Sequence, residues 1–350
     1  MAPRIRRRPE QAVIFLVTQL RIAANMGGRK FHPFCDQHSH APCNPASRNG
    51  IQQVGYNTVN SLDVINMRVG FLMLASVPGL LFADSPALQR AQKLYRHTDY
   101  AAAIQILSEA GQNDPAATAM LGQCYFMQGD YKRSTDLFEK AVAADPQNST
   151  YQTWLGRVYG RRAETSFAVN AISWASKSRT ALEKAVQLDS SNWEAVDDLF
   201  EYYIQAPGFM GGGLDRAEKL TEIVMKRDAA EASYDRARIA EARKQYATAE
   251  QHLRKAAELA PQQVGRLLDL AKFLARQGRY EESDRTFAQA ERVAPDAPKV
   301  LFAKASTYIH ANRNVDDARQ LLKKYLSASI TPEDPPKSEA QRLLRKASGS

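Results

Sequence analysis

Four stretches of the chain are copies of one another: DYAAAIQILSEAGQNDP at 99–115, DYKRSTDLFEKAVAADP at 130–146, QYATAEQHLRKAAELAP at 245–261 and RYEESDRTFAQAERVAP at 279–295. Each sets an aromatic residue, a small one three positions on, an apolar one four further, alanine three beyond that and proline five later. Steps of three and four place those side chains on one face of a 3.6-residue helix, and the proline ends it. Weaker copies fill the gaps, KSRTALEKAVQLDSSN at 177–192, LDRAEKLTEIVMKRDA at 214–229 and NVDDARQLLKKYLSAS at 314–329, and Pro261 to Pro295 is 34 residues. This period constrains the fold more than any other feature. A single helix pair cannot bury its own apolar face, so neighbours must stack into an all-α solenoid with the first helix of each pair on the concave side.

The other half of the unit is visible in MLGQCYFMQGDY, with Leu121, Gly122 and Tyr125, and in WLGRVYG, with Leu155, Gly156 and Tyr159. On these residues the pattern resembles the tetratricopeptide repeat across nearly all of 86–330. The resemblance implies an α-solenoid of antiparallel helix pairs, a right-handed superhelix of about seven repeats over 84–330. Gly122, Ser134 and Ala141 are small enough for close helix approach, Tyr131 and Phe138 fill the space between repeats, and Gly129 and Gly278 permit tight turns. Residues 331–350 are a linker, with Pro332, Pro335 and Pro336, followed by a polar capping helix in SEAQRLLRKASGS.

The family implies a non-enzymatic scaffold for a protein or peptide partner. Its ligand-facing positions fall on Gln123, Trp154, Arg157, Arg161, Arg238, Lys272 and Arg276. Several are cationic, which suits an acidic peptide or a C-terminal carboxylate. The alternative is a solvated helix face, since Asp198, Glu201, Asp235 and Asp269 are neighbours. The subclass that clamps terminal carboxylates has Asn at key positions, and this chain departs from it with Gln123, Arg157, Arg238 and Lys272.

Two units exceed the period. Between Pro146 and Ser190, GRRAETSFAVNAISWASK adds about ten residues, expected as longer helices with Trp174 packed among them. In YIQAPGFMGGGLDRAEKL, Pro207 ends a first helix, and Gly208 to Gly213 are expected as a flexible, exposed lobe with Phe209 and Met210 at its tip, either a contact site or groove filling. No phosphate cradle is expected of the glycines, because Gly-Lys-Ser/Thr is missing and Asp215 places negative charge there. Exported bacterial proteins of the family are similar in this loop.

Upstream, MRVGFLMLASVPGLLFADSP at 67–86 has one cation, an apolar run from Gly70 to Val77, the breaker Pro78-Gly79 and Ala83 before Asp84. That order is a secretory signal, expected to be cut after Ala83, and the run is too short to span roughly 30 Å of hydrocarbon. Met67 is then the expected start, residues 1–66 an over-extended reading of the gene, and the product periplasmic or secreted, touching membrane only through its signal. His32, Cys35, His38, His40 and Cys43 supply zinc-type donors within twelve residues. They are crowded around Pro33 and Pro42 rather than split into two ligand turns, so no metal site is expected.

Charge excludes one more class. Of the formal +9, residues 84–350 carry only +3, too balanced for a phosphate-backbone surface, so no nucleic-acid partner is expected. Catalytic groups do not gather either: His97, His252 and His310 belong to different repeats, and Cys124 lies in an apolar helix. Neither catalytic residues nor a cofactor is expected.

Overall fold

In the computed structural model, residues 85–110, 114–331 and 334–348 are described. The 1–66 extension with its His/Cys stretch and the signal at 67–83 lie outside them. The described chain alternates first and second helices: α1 (Pro86–Arg96) with α2 (Tyr100–Ala110), α3 (Pro115–Met127) with α4 (Tyr131–Ala144), and α5 (Ser149–Thr165) with α6 (Ala168–Leu188). Then come α7 (Trp193–Gln205) with α8 (Leu214–Met225), α9 (Ala229–Ala242) with α10 (Tyr246–Leu259), α11 (Val264–Arg276) with α12 (Tyr280–Val293), and α13 (Pro298–His310) with α14 (Val315–Ser327). A final helix, α15 (Lys337–Ala347), buries Ala340 and Leu343 against the last pair. The described residues contain no strand, and the seven pairs are those the repeat dictates.

Local chemistry sets the ends of these helices. The side chains of Ser85, Asp114, Asp130, Asn148, Asn192 and Asp228 each accept a hydrogen bond from a backbone N–H in the first turn of the helix that follows. The turn inside a pair recurs with one left-handed residue: Thr98, Gly129, Lys244, Gly278 and Asn312 have φ of 63°, 80°, 60°, 76° and 49°. Each is followed by a residue whose N–H closes on a carbonyl five positions back, as Asp130 does on Tyr125 at 2.9 Å. Glycine occupies this place only twice, so the turn is imposed by packing as well as by residue choice.

Within a pair the helices cross at a small residue. Ser134 Oγ donates to the Gly122 carbonyl at 2.8 Å, Ser283 to that of Ala271 at 2.8 Å and Ser178 to that of Gly156 at 2.7 Å. A serine that satisfies itself on the facing backbone lets the helices touch without an orphaned hydroxyl. The first two bonds span 12 residues and the third 22. The ten extra residues therefore all lie in the α5–α6 hairpin beyond the crossing, about five per helix, and carry its tip roughly 7 Å past its neighbours at 1.5 Å per residue. That extension would leave one flank of α6 bare. The loop after α7 covers it: a 3-10 turn at Gly208–Met210 lies against α6, and Ala206 and Met210 share a buried cluster with Ala171 and Ala175.

First helices of successive pairs touch, α1 with α3, α3 with α5, α5 with α7 and α11 with α13, whereas second helices stand further apart. The array therefore curves with its first helices inside.

The crossing makes a sharp test. A Cβ on Gly122 would stand 2.9 Å from the fully buried Phe138 ring, and one on Gly156 would stand 2.7 Å from Leu182, while one on Gly265 meets nothing within 4 Å. Alanine gains about 1 kcal/mol over glycine in a helix, and overpacking costs roughly 1–3 kcal/mol. Gly122→Ala and Gly156→Ala are expected to lower the melting temperature and Gly265→Ala to raise it slightly; thermal unfolding followed by circular dichroism checks the signs.

Candidate functional site

The inner side of the curve is built by ion pairs that bridge one first helix to the next. Arg157 on α5 reaches α7, with Nε 2.6 Å from Asp198 Oδ2 and Nη1 2.8 Å from Glu194 Oε2. Glu201 on α7 accepts a two-pronged contact from Arg238 on α9, one arm at 2.8 Å. From α11, Arg266 meets Glu231 and Arg276 meets Glu241 on α9, the latter at 2.7 Å. Partners are 35 to 41 residues apart, one repeat. The Arg157 pair is nearly dry: burial pushes the Asp198 carboxyl up to about 6, against the pull of Arg157.

Of the expected ligand-facing residues, Arg157, Arg238 and Arg276 thus stand on the inner side, but each is matched by carboxylates of an adjoining repeat. The surplus positive charge that an acidic peptide would need is consumed internally: Arg157 and Arg238 are largely buried bridges between repeats, and Arg276 is a bridge that stays exposed to solvent. Arg161 lies over the Tyr131 ring and donates to its hydroxyl at 2.9 and 3.1 Å and to Glu164 at 2.8 Å. Gln123 and Lys272 are half-buried on α3 and α11. Trp154 needs correction: it is 8% exposed, stacked on Phe138 and edge-on to Phe126, so it is core rather than ligand platform. Cys124 is fully buried, and burial pushes its thiol up to about 12.

The 208–213 segment also departs from expectation. Met210 is 5% exposed and packs inward, whereas Phe209 is 75% exposed. Hydrogen bonds tie the segment down: Tyr202 Oη donates to the Met210 carbonyl and Arg216 Nη1 to that of Gly211, both at 2.8 Å. A Cβ on Gly212 would stand 1.8 Å from the Ala206 carbonyl oxygen, and Gly211 has φ +82°, so these glycines allow close packing and a left-handed turn rather than a loose lobe. Phe167 joins Phe209 on the surface, 90% exposed in the turn of the α5–α6 hairpin, with Ile172 nearby in sequence. Both phenylalanines occupy the turn within a pair, in consecutive repeats, and so stand on the same rim. Sequence reasoning missed Phe167; its signal was an apolar residue directly after Ser166, where a turn is expected to be polar. It named Asp198 and Glu201 as neighbours of the cations but missed that they, with Glu194, Glu231 and Glu241, bridge one repeat to the next; the signal was the one-repeat spacing.

Glu164 generates a pH prediction. Its Oε2 meets Arg161, its Oε1 is buried without a partner, and burial raises the carboxyl to about 8, opposed by Arg161. A carboxyl whose folded pKa lies above its unfolded value of roughly 4.3 favours the fold while protonated, so its contribution is full below that value and declines as pH rises toward 8. Glu164→Gln is expected to leave stability unchanged near pH 4 and raise it by roughly 1–3 kcal/mol at pH 9. Urea unfolding at the two pH values measures the difference.

Two family models, both described as tetratricopeptide repeat, match the sequence, one at residues 94–158 and 240–306 and the other at 211–264. No curated protein matches. Among solved structures, a tetratricopeptide repeat protein from Parabacteroides merdae ATCC 43184 superposes with a TM-score of 0.53 at 14% identity, covering 75% of this chain and 97% of that one. A thermophilic protein of the same repeat type from Thermus thermophilus gives 0.43 at 18% identity, over 55% of this chain and 99% of that one. The C-terminal part of another from Cytophaga hutchinsonii gives 0.47 at 18%, over 73% and 99%. Tetratricopeptide repeats are thus matched at 94–158 and 211–306, and with glycine or alanine facing serine at the helix crossings and the superposition on a solved solenoid, the described chain has the tetratricopeptide-repeat solenoid fold.

Proposed function

We propose that the protein is an exported interaction scaffold that holds an extended peptide or a helix of a partner against its inner face, in the cell envelope. What supports the reading is the row of Arg–carboxylate bridges from α5 through α7 and α9 to α11. These fix long side chains before any partner arrives, so their ordering cost falls on folding rather than on binding. The internal charge matching favours a partner of mixed polarity over a strongly acidic one. Export rests on the 67–83 stretch. Among the described residues, no helix is long and apolar enough to cross a membrane.

A second reading has its own observation. Phe167 and Phe209 expose large apolar surface on one rim, and an assembly factor would dock there on an envelope complex. A photoreactive amino acid at Gln123, Lys272, Phe167 or Phe209, in turn, in native cells separates the two. Adducts at Gln123 and Lys272 are expected; adducts confined to Phe167 and Phe209 overturn the inner-face reading in favour of the rim. Sequencing the N-terminus of the native product tests export independently. The first residue is expected near Asp84, and a product that retains Arg4 to Arg8 refutes it.

A further inference from the structure

From α8 through α12, where second helices meet the next repeat, the array pairs opposite charges. Glu222 on α8 meets Arg236 on α9 at 2.5 Å, Glu250 and Arg254 on α10 meet Arg279 and Glu282, and Glu291 on α12 meets Lys304 on α13. The α6–α8 seam is different. Between α6 and α8 lies an open groove of about 470 Å³, lined by Arg179 and Glu183 of α6, Tyr203 of α7, and Arg216, Lys219 and Leu220 of α8. Three cations converge there with one carboxylate.

The imbalance follows from how α8 is turned. Its acidic side, Asp215, Glu218 and Glu222, faces α9, where Arg243 takes Asp215 at 2.7 Å and Glu218 at 2.9 Å. Its basic side, Arg216 and Lys219, is left to the groove. The Asp215 charge that argued against an anion near this loop is therefore neutralised elsewhere. On α6, the Arg179 guanidinium lies against Gly211, its Nε is buried without a hydrogen-bond partner, and its nearest carboxylate, Glu183, is 3.9 Å away. Glu183 itself accepts the Tyr203 hydroxyl at 2.8 Å. Lys219 has no ion-pair partner among the described residues. Like charges held together cost free energy unless an anion shares the space, and the α8–α9, α10–α12 and α12–α13 seams show that this fold supplies carboxylates where no ligand is needed.

We infer that the α6–α8 groove binds a phosphate monoester, its dianion held by Arg179, Arg216 and Lys219. Three cations less Glu183 leave a formal charge of +2, which a dianion cancels. The groove volume exceeds a bare phosphate and leaves room for the group that carries it. Recognition is by side chains alone, because the glycine N–H groups are already used: Gly211 donates to Gly208, Gly212 to Pro207 and Gly213 to Tyr203. The site lies among second helices, away from the inner face, and does not depend on the peptide reading.

Calorimetric titration with phenyl phosphate tests it, alongside flotation with phosphatidylcholine vesicles that contain or lack phosphatidic acid, whose headgroup offers the same chemistry. Binding is expected to weaken about tenfold or more in Lys219→Gln and in Arg179→Gln, as for loss of a charge-assisted hydrogen bond. It is expected to persist in Lys323→Gln, which removes an equal charge on α14, and to fall below about pH 6 as the phosphate gains a proton. Lys219 is exposed, so its variant is expected to melt with the parent, which separates loss of site from loss of fold. Phenyl phosphate binding assigns the site to a free monoester, and binding only to phosphatidic acid vesicles assigns it to a lipid headgroup. Binding to neither probe, or equal weakening by Lys323→Gln, overturns the inference.

Discussion

Everything in this fold depends on how closely two antiparallel helices of a pair can approach. At Gly122, Gly156 and Ala271 the first helix presents almost no side chain, and a serine of the second donates its hydroxyl to the bare carbonyl. Phe138 and Leu182 then lie where a Cβ would otherwise be. The contact sets the rotation of both helices about their axes, and rotation decides which residues go between repeats and which go inside the curve. Were the crossing wider, Phe138 could not reach Trp154 of the next pair, and the stacking that buries each unit against its neighbour would lose its register.

Stacking alone is not selective along a solenoid, because one apolar seam is much like the next. The ion pairs add position. Arg157, Arg238 and Arg276 each find a carboxylate only if the adjoining first helix sits at one height and one rotation, and Asp198 is dry enough that a wrong placement would strand a charge. These bridges join consecutive first helices on the inner side of the curve. The same side chains therefore fix the curvature and form the surface that the curve presents.

Much of this was legible in the sequence, because a repeat shows a three-dimensional contact several times over. Tyr131, Tyr246 and Tyr280 mark helix starts, and the small residues three positions later mark the crossings. What repetition could not reveal was any contact made once. Trp154 occupies a position that faces ligand in the family, but here Phe126 and Phe138 close over it, a consequence of three aromatic choices in different helices. The sequence places Asp198 and Glu201 near the arginines but does not say which arginine each meets, because the partners lie one repeat apart and helix-face arguments compare neighbours within one helix. Glycine-rich flanks signal an exposed loop at Met210, whereas it packs on α6, a destination that no local pattern encodes.

That last point joins the two departures from the period. In the sequence they are separate, ten extra residues in the third repeat and a proline-glycine loop in the fourth. In space the first creates the flank that the second covers: α6 runs past its neighbours, and Ala206 and Met210 close over Ala171 and Ala175. To reach that flank the loop must double back, which brings Gly212 against the Ala206 carbonyl and Gly211 beneath the Arg179 guanidinium, positions that admit no side chain. With the loop so placed, Arg216 is held on the Gly211 carbonyl and faces α6, while Phe209 is left on the rim. One length change in one helix pair thus accounts for a glycine-rich loop, an exposed aromatic and a seam of like charge. A rim patch and a cationic groove that arise from the same compensation stand or fall with the α5–α6 extension.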